Sequence, residues 1–564
     1  MRRHTLFLAL MGCALFCQAQ TTPTDSNIVK KDITIQKAYT PFIGNFERKE
    51  LMPSTTEPEI KHKPANYSTY STTIAPEYQV RKLGSAQLNN PVVKNAQDGY
   101  LRFGLGNCWS TLGDLMLPIV ETSKYSLDFN LNHKGMYNRR KHHKTNAGLG
   151  YNRFFKNGNL YIDGNYTYRG FNYYGENKLE KDSIYTAPNG ATISGADFFR
   201  DDASIHAWDF ELGYKSYPTD EYENRISAEM RYDGFMPNEG LTEHRMKTNF
   251  LYEKTFNEGN HWGIDFNMEN YWYKTGNLDV TASTPHGFTS VRLNPYVQIE
   301  KERLFARAGI SLNVSTEGQA VAPTPDLRAI ITLVKNTWYL YGGLEGDYQT
   351  HSLKDVIEEN HYINLNEKIK NSYSPVDVYG GFKLKILYNL LSDLSLRYKY
   401  TINDHFFVND TSLSLSGSHV MGNVFVSQIK DASVFTVSFF NKYEMSKLLT
   451  LNFDVKHNSW NVRKGEAWGK PKWQWNVGGE LHAGKRMSAY VNFDIETGRK
   501  ALKSDGGTRL LKPKYDLNIG TDYAWSSDLS LFIKLNNILH RHYEQWYGYE
   551  VNGFNGMIGL IYTF

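Results

Sequence analysis

Three cysteines in 564 residues, no long apolar run and no surplus of either charge mark this chain by what it lacks. Each lack removes a class of protein. Cys13 and Cys17 fall in an N-terminal stretch that reads as an export signal, so Cys108 remains alone and no disulfide framework is expected. Beyond that stretch no 18 consecutive residues are apolar, which excludes a transmembrane helix and leaves a closed barrel as the way to span a bilayer. The 63 Lys and Arg balance 59 Asp and Glu and are spread along the chain, which argues against a nucleic-acid partner or an acidic tail. Catalytic signatures are also missing. There is no Gly-x-Ser-x-Gly elbow, no His-Glu-x-x-His and no phosphate loop, so neither an enzyme nor a cofactor is expected. His142, His143, His361, His405, His540 and His542 fall mostly in expected loops, where a solvated histidine is commoner than a metal ligand.

Aromatic residues are abundant at 14%, with 39 Tyr, 30 Phe and 11 Trp, beside 45 Gly. A polar but aromatic-rich chain suits a barrel wall with one lipid face, one wet face and aromatic girdles. Residues 1–19 read as a signal peptide. Arg2, Arg3 and His4 precede the apolar stretch from Thr5 to Phe16, and Cys17-Gln18-Ala19 makes a small-residue cleavage site, so the mature chain is expected to start at Gln20. A lipoprotein box at Leu10 to Cys13 competes, but it leaves a very short apolar region. Residues 20–98 hold seven of the 18 prolines and read as an extended periplasmic or lumen segment. Within it Asp32, Ile33, Thr34, Ile35 and Gln36 form a strand-like patch, a candidate for strand addition to a periplasmic partner such as TonB.

From Gly99 the pattern has period two. Leu127, Phe129 and Leu131 alternate with Asp128, Asn130 and Asn132. Met487 to Ile495, Tyr515 to Tyr523 and Leu529 to Leu535 repeat that alternation as consecutive strands. Tight joins such as Gly484 to Arg486 and Ser526-Ser527 alternate with long ones, 497–513 and 538–553. A soluble sandwich has no reason for this asymmetry, whereas membrane barrels have short periplasmic turns and longer external loops. Further tight turns are read at Met445 to Lys447, Leu387 to Leu391, Lys335 to Thr337, Lys301-Glu302, Asn257 to Asn260, Pro218 to Tyr222 and Lys156 to Asn159. With a first hairpin of Leu101 to Leu105 and Trp109 to Ile119, residues 99–564 make an all-β, antiparallel transmembrane barrel of about 22 strands. That total requires Asn403 to Asp431 to be one long external loop. A barrel this wide also needs its lumen filled, and the segment 20–98 with inward-folded loops is expected to do so.

The chain ends on an outward stripe, Phe554, Ile558, Leu560, Tyr562 and Phe564, which looks like the signal read by the barrel-assembly machinery. Leu529 to Leu539 (LSLFIKLNNIL), Tyr543 to Tyr549 (YEQWYGY) and the last strand together resemble the end of TonB-dependent receptor barrels of Bacteroidota. The resemblance runs weakly across 99–564, and Lys31 to Pro41 looks like the start of a plug-less subgroup. It implies solute uptake across the outer membrane. Residues 20–98 depart from the family's pattern in showing no compact Gly-rich plug, so a structural or assembly subunit of an envelope complex stays open as the alternative. Lipid and lipopolysaccharide are the expected surroundings. The loop Lys134 to Lys144, with Arg139, Arg140, Lys141, His142 and His143, is a candidate grip for lipopolysaccharide phosphates. Tyr543, Trp546, Tyr547 and Tyr549 form a candidate external ligand or partner loop, with a plain interfacial belt as the alternative.

Overall fold

The computed structural model describes residues 99–564 apart from 176–183, 187–191, 195–200, 218–223, 239, 258–259, 275–285, 365–368, 387–388, 412–413, 416–417, 420 and 485. The expected signal 1–19 and the segment 20–98 with Asp32 to Gln36 lie outside the described residues. Among those described, 22 antiparallel strands form one sheet closed on itself. The first six strands are β1 (Tyr100–Gly106), β2 (Ser110–Glu121), β3 (Tyr125–Met136), β4 (His142–Phe155), β5 (Gly158–Asn172) and β6 (Asp202–Ser216). Then come β7 (Asn224–Pro237), β8 (Thr242–Asn257), β9 (Asn260–Lys274), β10 (Phe288–Lys301), β11 (Leu304–Ser315) and β12 (Val321–Val334). The ring continues through β13 (Trp338–Gln349), β14 (Ser372–Ile386), β15 (Leu390–Asn409), β16 (Phe425–Met445) and β17 (Leu449–Val462). It ends with β18 (Trp473–Ala483), β19 (Met487–Thr497), β20 (Lys514–Ala524), β21 (Leu529–Asn536) and β22 (Asn555–Thr563).

Closure occurs where β22 pairs with β1, Phe103 opposite Leu560, and with β21, Leu531 opposite Leu560. Closing the ring removes every sheet edge, the condition for burying strands in hydrocarbon. Outward positions carry the apolar half of the alternation: Leu149, Phe210, Leu312, Val491 and Leu531 all stand exposed on the protein surface. The C-terminal stripe shares that face, since Phe554, Ile558, Leu560, Tyr562 and Phe564 are exposed while Asn555 between them is buried. Tyr125, Phe155, Phe256, Trp338, Trp525 and Phe564 stand exposed beside the short turns, an aromatic girdle at that rim.

The inward face is polar and internally paired. From β6 to β15 it carries arginines against carboxylates: Arg231 lies 3.4 Å from Asp209, Arg307 2.9 Å from Asp326, and Arg328 2.8 Å from Glu345. From β17 to β19 amides take over, with Asn452 donating to Asn476 at 3.1 Å and Asn476 to Asn492 at 2.9 Å. Tyrosines bridge strands by a recurring device. Tyr161, Gly213 and Glu229 share one register row across β5, β6 and β7, and the Tyr161 hydroxyl crosses the glycine to reach Glu229 at 3.0 Å. Tyr296, Gly263 and Glu253 repeat it across β10, β9 and β8, at 2.5 Å. A side chain at either glycine would overlap the ring, so here glycine serves close approach, not a turn.

One expectation fails. Asn403 to Asp431 is not a single loop: after a bulge between Thr401 and Asp404 the ladder resumes, and Asp404 to Asn409 pair with Lys430 to Phe425. The connection shrinks to 410–424, and Phe425 belongs to β16. These strand tips pack into protein, not between lipid and water, so the alternation that marks a membrane strand is lost there. The count of 22 survives because both strands simply run longer.

Candidate functional site at the outer mouth

The long-loop rim is the extracellular side of a membrane barrel, and here its loops turn inward. Residues 350–371, between β13 and β14, form α1 (Leu353–Glu359). Its start is set locally: Ser352 Oγ accepts from the Asp355 N–H at 3.0 Å, and the Asp355 carboxylate accepts from the Ser352 N–H at 3.3 Å, a reciprocal cap. Seven residues do not hold a helix in water alone. Burial of Leu353, Val356 and Ile357 holds this one. Ion pairs fasten it at both ends: Lys354 to Asp233 at 3.0 Å, Asp355 to Arg245 at 3.6 Å, and Glu359 to Lys470 at 2.7 Å. Asp233 and Arg245 sit on β7 and β8, whereas Lys470 lies in the loop between β17 and β18, about ten strands away around the ring.

Around α1 a buried apolar cluster gathers from every side. Phe171 and Tyr173 come from the end of β5, Phe235 from β7, Phe407 and Phe425 from β15 and β16, and Tyr549 from the last loop. Tyr362 stacks on Tyr549 with centroids 3.7 Å apart, and Tyr174 meets Tyr549 edge-on at 5.0 Å. Each such side chain contributes roughly 1.5–3 kcal/mol by leaving water. The result is a dry cap built by external loops over a polar lumen.

The four aromatics singled out from sequence belong to this cap or its edge. Tyr549 is fully buried and its hydroxyl donates to the Asn423 carbonyl. Trp546 packs edge-on against Phe407 at 5.6 Å and near Phe425 at 5.7 Å. Tyr543, 6% exposed, donates to Asp516 at 3.3 Å, and Tyr547 lies under the Arg509 guanidinium at 4.7 Å. Arg499 clamps the same loop by donating to the Gln545 and Glu544 carbonyls at 3.0 and 2.9 Å. These neighbours are distant in sequence, so no local pattern announced them. The Ser352-x-x-Asp355 box before Val356 and Ile357 was the one local signal for α1.

The basic stretch is shorter than expected. Lys134 lies on β3 and His142, His143 and Lys144 on β4, leaving 137–141 as loop. Within it Arg140 is engaged by Glu550 at 3.5 Å and by the Tyr174 ring, and Lys141 by Asp202 at 3.5 Å. Arg140 therefore holds the last loop down. His405 is likewise on β15, not in a loop.

Two loop histidines seal the cap. His361 rests against Tyr362 at 4.5 Å and Phe171 at 5.3 Å, and burial, with His142 and Arg169 adding repulsion, pushes its pKa down to about 3. His351 lies edge-on to His405 at 4.5 Å and is pushed to about 3 by burial, with His405, Lys399 and Lys470 adding to it. Ser372 Oγ donates to the Asn403 carbonyl, so it accepts from His351 Nε2 at 2.8 Å. Both rings are neutral at neutral pH. Among the described residues no group of three His, Cys, Asp or Glu is placed to hold a metal.

A 22-stranded closed barrel with an apolar outer face defines the class: an integral outer-membrane β-barrel. No protein-family profile matches the chain, and no curated protein matches it. Solved structures do match its fold. The FrpB iron transporter from Neisseria meningitidis aligns with a TM-score of 0.61 at 10% identity, over 83% of this chain and 81% of that one. The ferric enterobactin receptor PfeA from Pseudomonas aeruginosa, as a double mutant, aligns at 0.60 and 11%, over 83% and 80%. The copper transporter OprC gives 0.60 and 10%, over 83% and 80%. Within the class, the barrel shares its fold with these receptors and transporters. These neighbours are receptors and transporters, not enzymes.

Proposed function

We propose that this chain is a gated outer-membrane uptake barrel, in which a solute enters when the loop cap opens. The observation that carries the reading is a latched, loop-built cap standing over a polar, ion-paired lumen. A wall meant only to seal has no need of a wet interior. The solved structures that share the fold are named as receptors and transporters, which supports the same reading. Residues 20–98 then contact an energiser such as TonB, with Asp32 to Gln36 as the added strand, after export by the signal 1–19. The stripe ending at Phe564 is read by the barrel-assembly machinery, and lipid and lipopolysaccharide surround the outward face. The origin in Bacteroidota and the plug-less subgroup rest on the sequence resemblance alone.

The test is conductance of the full-length protein in planar bilayers. Replacing Lys354 and Ile357 by Glu and Asp should unlatch α1 and raise single-channel conductance several-fold. Unchanged conductance, with faster hydrogen exchange over 350–371 showing that the cap did open, overturns the reading. The dry packing around Tyr362 and Tyr549 favours the second reading, a non-transporting subunit of an envelope complex. That reading predicts a stoichiometric partner in a mild-detergent pull-down and silence in bilayers with the cap open.

A further inference from the structure

Beside α1 the lumen wall holds a polar recess of about 220 Å3, several water molecules' worth. Its charged lining consists of Arg245, Lys247, Arg292, Glu269, Asp347 and Asp355. Four of these satisfy one another or the wall. Arg245 is held by Asp233 at 2.9 Å and Asp355 at 3.6 Å, and Lys247 by Glu269 at 3.1 Å. Two are left over. Among the described residues no hydrogen bond or ion pair engages the side chain of Arg292 or of Asp347, and the Arg292 Nε is buried without a partner.

This isolation sets Arg292 apart from five other wall arginines and leaves it alike with Arg102 on β1, whose Nε is also buried without a partner. Arg231, Arg245, Arg307, Arg328 and Arg397 each meet a carboxylate across the neighbouring strand or two, whereas the register neighbours of Arg292 are the amides Asn267 and Asn313. A buried guanidinium nitrogen without a partner keeps its desolvation cost, which a bound carboxylate recovers through paired N–H donors. Asp347 sits just past a register shift between Glu345 and Asp347, the kind of irregularity that re-aims a side chain.

We infer that this recess is a binding site for a small zwitterion, an amino acid or dipeptide, whose carboxylate meets Arg292 and whose ammonium meets Asp347. The remaining four charges cancel in pairs, so a simple anion would face Asp347 unopposed and a simple cation would face Arg292. A ligand carrying both signs satisfies the two leftover groups at once. The inference rests on the uptake reading for its purpose but on the recess alone for its chemistry.

Isothermal titration of the full-length protein in detergent with L-alanyl-L-alanine tests it. Binding should weaken at least tenfold for the N-acetyl and for the C-terminal amide analogues. Arg292→Gln should lose at least tenfold toward the free dipeptide and become indifferent to amidation, and Asp347→Asn should become indifferent to acetylation. Retained heat-modifiable migration shows that each variant is folded, and the blocked dipeptides test the idea on the unaltered protein. Equal binding of all three peptides, or none, overturns the proposal. If reconstituted vesicles admit a neutral sugar while the dipeptide fails to bind, the recess is wrong and uptake stands. If the dipeptide binds as expected while no solute passes, uptake is wrong and the recess stands.

Discussion

The two rims of this barrel are built from the same wall and end in opposite ways. At one rim, strands reverse in connections such as Lys335 to Thr337 and Trp525 to Asp528, too short to leave the wall. At the other, longer connections bring Tyr173, Tyr362, Val424 and Tyr549 together in a core around α1. Connection length thus decides which end can close itself. A tight turn can only hold register, whereas a long loop can bury side chains against a loop from across the ring.

The comparison breaks most visibly at the centre of the cap. Tyr549→Ala removes a fully buried ring stacked on Tyr362 and should cost the cap roughly 3–5 kcal/mol, as for other buried aromatics. Hydrogen exchange over 350–371 should accelerate while the strands stay protected; unchanged exchange would mean that the cap is not one cooperative unit. Between the rims, Leu531→Arg on the lipid face should destabilise by roughly 2–4 kcal/mol near the midplane, and Asn518→Arg on the lumen face should be mild. Urea unfolding in liposomes reads this, and equal effects would reverse the assigned faces.

Acid should loosen one rim and spare the other. His351 and His361 have pKa values near 3 in the closed cap and near 6.5 once exposed. The open loops therefore bind more protons throughout that window, and the cap loses stability as pH falls below about 6.5, by up to about 2 kcal/mol per histidine at pH 5. Protection factors, taken against the intrinsic exchange rate at pH 7.5 and at pH 5, should fall over 350–371 only. His361→Phe should reduce that sensitivity; an undiminished response would remove His361 from the account. The smallest effect belongs to the short-turn rim, where two glycines inserted between Ser526 and Ser527 should change stability by under about 0.6 kcal/mol and leave conductance alone.

What could be read ahead of the structure divides along the same line. The wall was legible, because each membrane strand repeats a two-residue period set by lipid on one side and water on the other. Leu529, Leu531 and Ile533 show it, as do the exposed residues of the stripe ending at Phe564. Even there Phe532 breaks the alternation: it is inward and buried, packed where Gly104 and Gly559 leave room. The cap was not legible. Tyr549 finds Asn423 and Tyr362 far along the chain, and in sequence a buried loop tyrosine looks the same as an exposed one. For that reason Tyr543 to Tyr549 reads as an external surface, while the structure makes it largely an internal one.

The tyrosine rows described in the wall also bear on how the cylinder obtains its stagger. If β6 slid by one residue against β5, Tyr161 would meet a full side chain where Gly213 now lies and its hydroxyl would lose Glu229. The same holds for Tyr296, Gly263 and Glu253. Each row therefore behaves as an alignment pin through three staves. Because strand offset and strand number together set the girth of a barrel, these few rings help to fix how wide the cylinder is.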